Sequence, residues 1–259
     1  MTVDLHNHLV PGVDDGARDL DDARSALEQM RAQGVRAIAT TPHLRASLVG
    51  RPEADAYLRR VAEARARLQT LAATDFPDLR VEGGFEVMLD TPFPDLTDAR
   101  LRLGGERHVL VEFAFMAVPP RSVEALYHLA WSGAAPLIAH PERYRGMEHS
   151  IAVAEGWRSV GALLQVNCGS LLGRYGAGPR AAAWRLLQRG WVDVLASDYH
   201  ARGTTCAIAA ARALLERRGA AEQARLLLDV NPGRILDGEA PLAVPPVPPP
   251  LWRRILPGL

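Results

Sequence analysis

The stretch Arg31–His43, RAQGVRAIATTPH, decides the fold. Gly34 stands where the end of a helix needs a left-handed residue. The run after it is short and apolar on both faces, as a strand of a parallel sheet should be. It ends on His43, a side chain able to bind a metal. The same phrase recurs three times. AWSG (130–133) precedes AAPLIAH, ending at His140. RSVG (158–161) precedes ALLQVNC, with Asn167 near its end. LQRG (187–190) precedes WVDVLASDYH, carrying Asp198 and His200.

Three further runs fit as strands: Thr2–Leu5, leading into His6 and His8; Arg80–Val87, carrying Glu86; and His108–Phe113, carrying Glu112. About seven strands thus alternate with helices, which predicts an α/β fold with a parallel sheet or barrel. Helices are expected over Asp19–Gln33, Arg51–Ala73, Pro179–Arg189 and Thr205–Arg218. The second of these is Arg-rich on a polar face expected to be solvated. From Pro241 the chain reads PLAVPPVPPPLWRRILPGL. So much proline excludes helix and central strand, so residues 241–259 are expected as an extended tail, disordered unless it docks. Residues 1–240 are expected to form the barrel as a single domain.

The bulk numbers narrow the function. The chain has 259 residues, 48% hydrophobic and 23% charged, an ordinary globular balance. Its 30 basic and 30 acidic residues cancel, which argues against non-specific nucleic-acid binding and polybasic membrane contact. Every basic residue is arginine, so no Schiff-base lysine can operate. Two cysteines, Cys168 and Cys206, make neither a disulfide framework nor a zinc ribbon. The opening MTVDLHNH has no signal-peptide pattern, and no apolar run is long enough to span a membrane. A cytoplasmic protein is expected.

In α/β barrels the working residues sit at the C-terminal ends of strands. Here nearly every strand delivers a metal-binding side chain there: His6 and His8, His43, Glu86, Glu112, His140, then Asp198 and His200. Five of the chain's eight histidines are in this set. Imidazole and carboxylate together suit manganese, iron, zinc and similar cations. The spacing of His6-Asn7-His8 puts two imidazoles on one side of an extended segment, and Asp198 and His200 repeat it. Paired cations clamp an in-line displacement at phosphorus and lower the pKa of a bound water. After the first strand, LVPGVDDGARD holds Asp14 and Asp15 in a turn. One of them is expected to do turn and capping work, and the other to reach back as a ligand. Arg143, three residues past His140, is placed to fork onto phosphate oxygens. Arg202 is a weaker candidate of the same kind. His108, His128 and His149 are expected to be structural, and Cys168 a small core residue.

The blocks DLHNHLVPGVDDGARD, GVRAIATTPH, GGFEVML, HVLVEF, PLIAHPERY, LLQVNCGSLLG and VLASDYH occur in order from Val3 to about His200, with weaker similarity to NPGRIL. In them the chain resembles the PHP (polymerase and histidinol phosphatase) superfamily. Within it, the chain is similar to the bacterial manganese-dependent protein-tyrosine phosphatases of capsule and exopolysaccharide loci. The resemblance implies a distorted (β/α)7 TIM-like barrel and three divalent metal ions, manganese first, with iron, zinc, cobalt or magnesium as substitutes. It implies that His6, His8, Glu86 and Asp198 hold the first ion, and Glu86, Glu112 and His140 the second. Asp14, His43 and His200 would hold the third. Arg143 matches a phosphate-binding arginine, and a second such arginine after the SDxH motif falls on Arg202 in the shorter HARGTTC. The implied reaction is hydrolysis of phosphotyrosine on a bacterial tyrosine kinase by metal-bound hydroxide, with no cysteinyl-phosphate intermediate. It would regulate capsular and exopolysaccharide synthesis. The alternatives are a small-molecule phosphatase such as a histidinol-phosphate phosphatase, or a nuclease of the same superfamily.

Overall fold

The computed structural model describes residues 1–202 and 205–249. The apolar runs become nine short strands: β1 (Thr2–Asp4), β2 (Val35–Thr40), β3 (His43–Arg45), β4 (Arg80–Gly83), β5 (Glu86–Leu89), β6 (His108–Phe113), β7 (Ala135–Ala139), β8 (Leu163–Asn167) and β9 (Val194–Ala196). Every pairing between them is parallel. They form a three-stranded sheet, β1-β2-β4, and a six-stranded sheet, β3-β5-β6-β7-β8-β9.

The two sheets are one barrel. β2 and β3 are halves of one stave, as are β4 and β5, so the expected strand Arg80–Val87 is split. Pro42 interrupts the first, since it has no N–H for the ladder. At the second gap Arg65 comes in close: a Cβ on Gly83 would lie 2.2 Å from its Nη1. Arg65 donates to Thr40 Oγ1 (3.1 Å) and to Gly84 O (2.8 Å), satisfying groups that the ladder leaves free. Burial lowers its guanidinium to about 10, so this arginine departs from the solvated face expected of its helix. Asn7 and Tyr199 close the circle in a parallel bridge. Asp198 N–H donates to His6 O, and His8 N–H to Tyr199 O, both at 2.9 Å. The staves are therefore β1, β2–β3, β4–β5, β6, β7, β8 and β9, a distorted (β/α)7 barrel in one domain.

Helices α1 (Leu20–Ala32), α2 (Pro52–Asp75), α3 (Ser122–Trp131), α4 (Ala152–Ser159), α5 (Cys168–Leu171), α6 (Ala177–Gln188) and α7 (Ile208–Arg217) pack around the strands. Asp19 caps α1 by accepting from Asp22 N–H, and Pro52 opens α2, where its missing N–H costs nothing. Gly34, Gly133, Gly161 and Gly190 follow α1, α3, α4 and α6 with φ of 87°, 90°, 87° and 66°, the left-handed turn that only glycine makes freely. The buried face of α2 carries Leu58, Val61 and Leu68, each contributing roughly 1.5–3 kcal/mol on burial. A smaller apolar cluster, including Val3, Leu5, Ala37, Leu110, Leu137 and Ile235, fills the barrel.

The proline-rich segment has neither helix nor strand over residues 241–249. It docks on the barrel. Val247 N–H donates to Leu187 O at 2.9 Å, and Leu242 exchanges two hydrogen bonds with the Asn231 side chain. Val244 and Val247 are buried. The rest of the expected tail, 250–259, lies outside the described residues. Among the described residues no helix is long and apolar enough to cross a membrane.

Candidate active site

The eight strand-end donors gather at one end of the barrel. His6 and His8 follow β1, His140 follows β7, and Asp198 and His200 follow β9. His43 opens β3 and sits directly opposite Glu86, which opens β5, while Glu112 is next to last on β6. At the floor, His6 Nε2 lies 3.3 Å from Glu86 Oε2 and 3.4 Å from Asp198 Oδ1. His8 Nε2 lies 3.5 and 3.6 Å from the same two oxygens. Beside them, His140 Nε2 is 2.8 Å from Glu86 Oε1 and 3.9 Å from Glu112 Oε2. His43 Nδ1 is 3.0 Å from Glu86 Oε2, so Glu86 stands between two donor groups. At the rim, His43 Nε2 and His200 Nε2 each lie 3.5 Å from Asp15 Oδ1. Side-chain exposure rises from 0% at His6 to 39% at His43 and 63% at Asp15, so the rim faces solvent and the floor does not.

The surroundings of the imidazoles fix which nitrogen faces inward. His6 Nδ1–H donates to Gln165 Oε1 (2.9 Å), His8 Nδ1–H to Asp14 Oδ2 (2.8 Å), and His200 Nδ1–H to Asp198 O (3.0 Å). In the neutral ring each leaves the Nε2 lone pair aimed at the cluster, the arrangement that supports a metal-bound histidine. The site also concentrates negative charge. Burial disfavours a charged His6, but Glu86 and Asp198 override it and raise the imidazole to about 9. His8 rises well above its ordinary value despite burial, through Asp14, Asp198 and Glu86. Burial, then the Glu86 charge, pushes Glu112 up to about 7. A buried pocket that draws protons onto its imidazoles draws divalent cations by the same field. The donors therefore fit a metal, and they form candidate groups around His6, His8 and Glu86; His43, Glu86 and Glu112; and His8, Asp15, His43 and His200.

Two expectations change. Asp14 was expected as the rim ligand, but its carboxylate is engaged by His8 Nδ1–H and by Gly16 N–H (3.0 Å), and Asp15 faces His43 and His200 instead. The turn is tight: a Cβ on Gly16 would lie 1.8 Å from His8 O, which presses the loop against the strand and directs the two aspartates apart. Arg202 was expected to meet phosphate, yet its Nε–H donates to Gly16 O at 2.5 Å, outside the cluster. Arg143 does reach the site, with Nη1 donating to Asp198 Oδ2 at 2.9 Å.

The backbone is left-handed at His140 (φ 34°) and Asp198 (φ 52°), strain of the kind that accompanies functional sites. The turn after His140 gives Glu142, Arg143 and Tyr144 separate tasks. Glu142 accepts from Asn167 N–H (3.1 Å) and Ser170 Oγ–H (2.6 Å), and burial raises its carboxyl to about 7. Tyr144 O–H donates to Ala139 O and accepts from Phe113 N–H, joining the ends of β7 and β6. Asn167 was noted near the end of its strand but not assigned to the site, and Gln165 was not noted. Gln165 Nε2–H donates to Asn167 Oδ1 (2.8 Å), and Asn167 Nδ2–H to Asp198 Oδ2 (2.7 Å), so a buried chain joins His6 to Asp198. The signal for them was present: polar residues at alternate positions of the apolar strand LLQVN. Cys168 is fully buried, and burial holds its thiol well above the ordinary value, which removes it as a thiolate nucleophile. His108 lies at the opposite end of β6, and His128 and His149 lie on α3 and in the loop before α4, all away from the cluster.

Fold and site define a class: α/β barrels that gather histidines and carboxylates at one end of the strands, where metal ions are held. Residues 2–237 match the family described as capsular polysaccharide synthesis, CpsB/CapC, and the chain belongs to that family. It is 32% identical to the tyrosine-protein phosphatase YwqE of Bacillus subtilis over 201 residues, 76% of this chain and 77% of the relative. It is 26% identical to the tyrosine-protein phosphatase CpsB of Streptococcus pneumoniae over 205 residues, 76% of this chain and 82% of that one. A crystal structure from work on these two metal-dependent tyrosine phosphatases superposes with a TM-score of 0.80 at 28% identity, over 95% of this chain and 99% of that one.

Proposed function

We propose that this protein is a metal-dependent phosphatase that hydrolyses phosphotyrosine on a bacterial tyrosine kinase, in the cytoplasm, and so regulates capsular or exopolysaccharide synthesis. The observation that carries the reading is the convergence of His6, His8, Glu86 and Asp198 on one buried point, in a chain whose relatives are named tyrosine-protein phosphatases. We assign three divalent cations, manganese first. His6, His8, Glu86 and Asp198 hold one; Glu86, Glu112 and His140 hold another; Asp15, His43 and His200 hold the third. The barrel of residues 1–240 is the catalytic unit.

When bound, such cations would supply positive charge for the phosphoryl oxygens and would lower the pKa of a water they hold. The chain's own residues do the rest. Gln165 and Asn167 orient His6 and Asp198. Asp14 orients His8. Among the described residues the Arg143 side chain makes one hydrogen bond, from Nη1 to Asp198, and its remaining N–H groups would bind a phosphate oxygen. The solvent-facing rim at Asp15, His43 and His200 suits a substrate carried on a protein chain.

A panel of phosphotyrosine peptide, histidinol phosphate and oligonucleotide, each with manganese, tests the reading. The peptide is expected to be the best substrate. His6→Ala with His8→Ala is expected to abolish turnover, and Cys168→Ala to retain most of it. Turnover of histidinol phosphate alone, or loss of activity only in Cys168→Ala, would overturn the assignment.

A further inference from the structure

A cavity of about 300 Å3 opens beside the cluster. It is lined by Asp198 to His200 and by Arg143, Arg174 and Tyr175. The loop between α5 and α6 reads Gly173-Arg174-Tyr175-Gly176, and both glycines are left-handed, with φ of 83° and 96°. They turn the chain at each end of the pair, and both side chains line the cavity. The Arg143 guanidinium carbon lies 4.3 Å from the centre of the Tyr175 ring, a cation–π stack. Arg174 is tethered to Thr205, which also lines the cavity: Nη1 donates to Thr205 O at 2.5 Å and Nη2 to Thr205 Oγ1 at 3.1 Å.

We propose that Arg174 is the second phosphate-binding cation of this site, and that Tyr175 is a positioning residue for the first, Arg143. The inference rests on the phosphatase reading. A phosphomonoester carries nearly two negative charges at neutral pH. Among the chain's own cationic side chains Arg143 by itself is a thin match for the oxygens that face away from the metal cluster, because part of its charge is already compensated by Asp198. Arg202, the arginine that the sequence offers for this role, is turned onto Gly16 O and does not line the cavity. Arg174 does line it, and two of its five N–H donors bond to Thr205, the hydrogen bonds its side chain makes among the described residues. The site thus takes its second cation from the loop after α5 rather than from the segment after His200.

The test uses full-length, manganese-loaded protein and inorganic phosphate as probe, measured by titration calorimetry alongside KM for a phosphotyrosine peptide. Arg174→Gln is expected to weaken phosphate binding and raise KM by about tenfold, the scale of one lost charge-assisted hydrogen bond, with metal content unchanged. Arg174→Lys is expected to recover part of the loss, since it keeps the charge but not the fork. Tyr175→Leu is expected to raise KM through Arg143, so that in Arg143→Gln protein the Tyr175 change has little further effect. Phosphate affinity in Arg174→Gln within about twofold of the parent would overturn the proposal, as would a larger loss in Arg202→Gln. If the parent binds phosphate through Arg174 but hydrolyses no phosphotyrosine peptide, the catalytic reading fails and this one stands. If the parent is active and indifferent to Arg174, this one alone fails.

Discussion

His8 and Asp14 are joined by a hydrogen bond of 2.8 Å from His8 Nδ1–H to Asp14 Oδ2, while the neighbouring Asp15 faces His43 and His200 at 3.5 Å. Adjacent carboxylates in one turn thus have different work. Asp14→Asn is expected to keep the number of cations bound and to weaken their retention about 10–100-fold, the usual cost of losing the partner of a liganding histidine. Asp15→Asn is expected to lose one equivalent of metal outright. Metal analysis after dialysis against graded chelator separates the two, and equal losses in both variants would contradict the division of roles.

Asn167 joins Gln165 to Asp198 in the interior. Asn167→Leu removes both bonds and leaves a buried amide of Gln165 without an acceptor. The metal-free protein is expected to lose about 1–3 kcal/mol of stability in urea. Manganese affinity is expected to fall about tenfold or more, because Asp198 and His6 are no longer held in register. A variant that unfolds and binds manganese like the parent would show that the chain is incidental.

His108 sits at the far end of β6, buried, and burial together with the Arg107 charge lowers its imidazole to about 4. Its unfolded value is near 6.5, so between pH 6.5 and 4 the unfolded chain binds more protons than the folded one. Stability therefore falls as pH drops through that window, by about 3 kcal/mol from this group. Above pH 6.5 the group is neutral in both states and contributes no slope. His108→Leu is expected to flatten the pH dependence of urea unfolding across the window by about that amount. Parallel curves for parent and variant would refute the assignment.

Much of the fold was legible along the chain. Glycine at each helix end, followed by a short run apolar on both faces, marks a helix entering a parallel strand, and every such phrase became one. The donors were legible for the same reason. His6, His8, His140, Asp198 and His200 follow their strands into the mouth of the barrel, Glu112 stands next to last on β6, and His43 and Glu86 stand at the breaks in their staves, so all eight converge.

Beyond the strand ends the loops were not legible in that way. The choice between Asp14 and Asp15 depends on how closely Gly16 approaches the His8 carbonyl, a contact that residue spacing does not encode. Glu142 and Tyr144 find their partners only because His140 adopts φ of 34° and starts a tight turn. Arg202 turns away from the cavity, and Arg174 lines it, because each guanidinium goes to the carbonyl its loop brings within reach, Gly16 for Arg202 and Thr205 for Arg174. The sequence by itself determined the alternation of helices with parallel strands and the set of donors they carry, because apolar runs and helix caps are local, while closure into a barrel rests on the long-range bridge between Asn7 and Tyr199. Tertiary structure alone decided which side chain supports which, because turns and long arginine side chains take their direction from what is packed beside them.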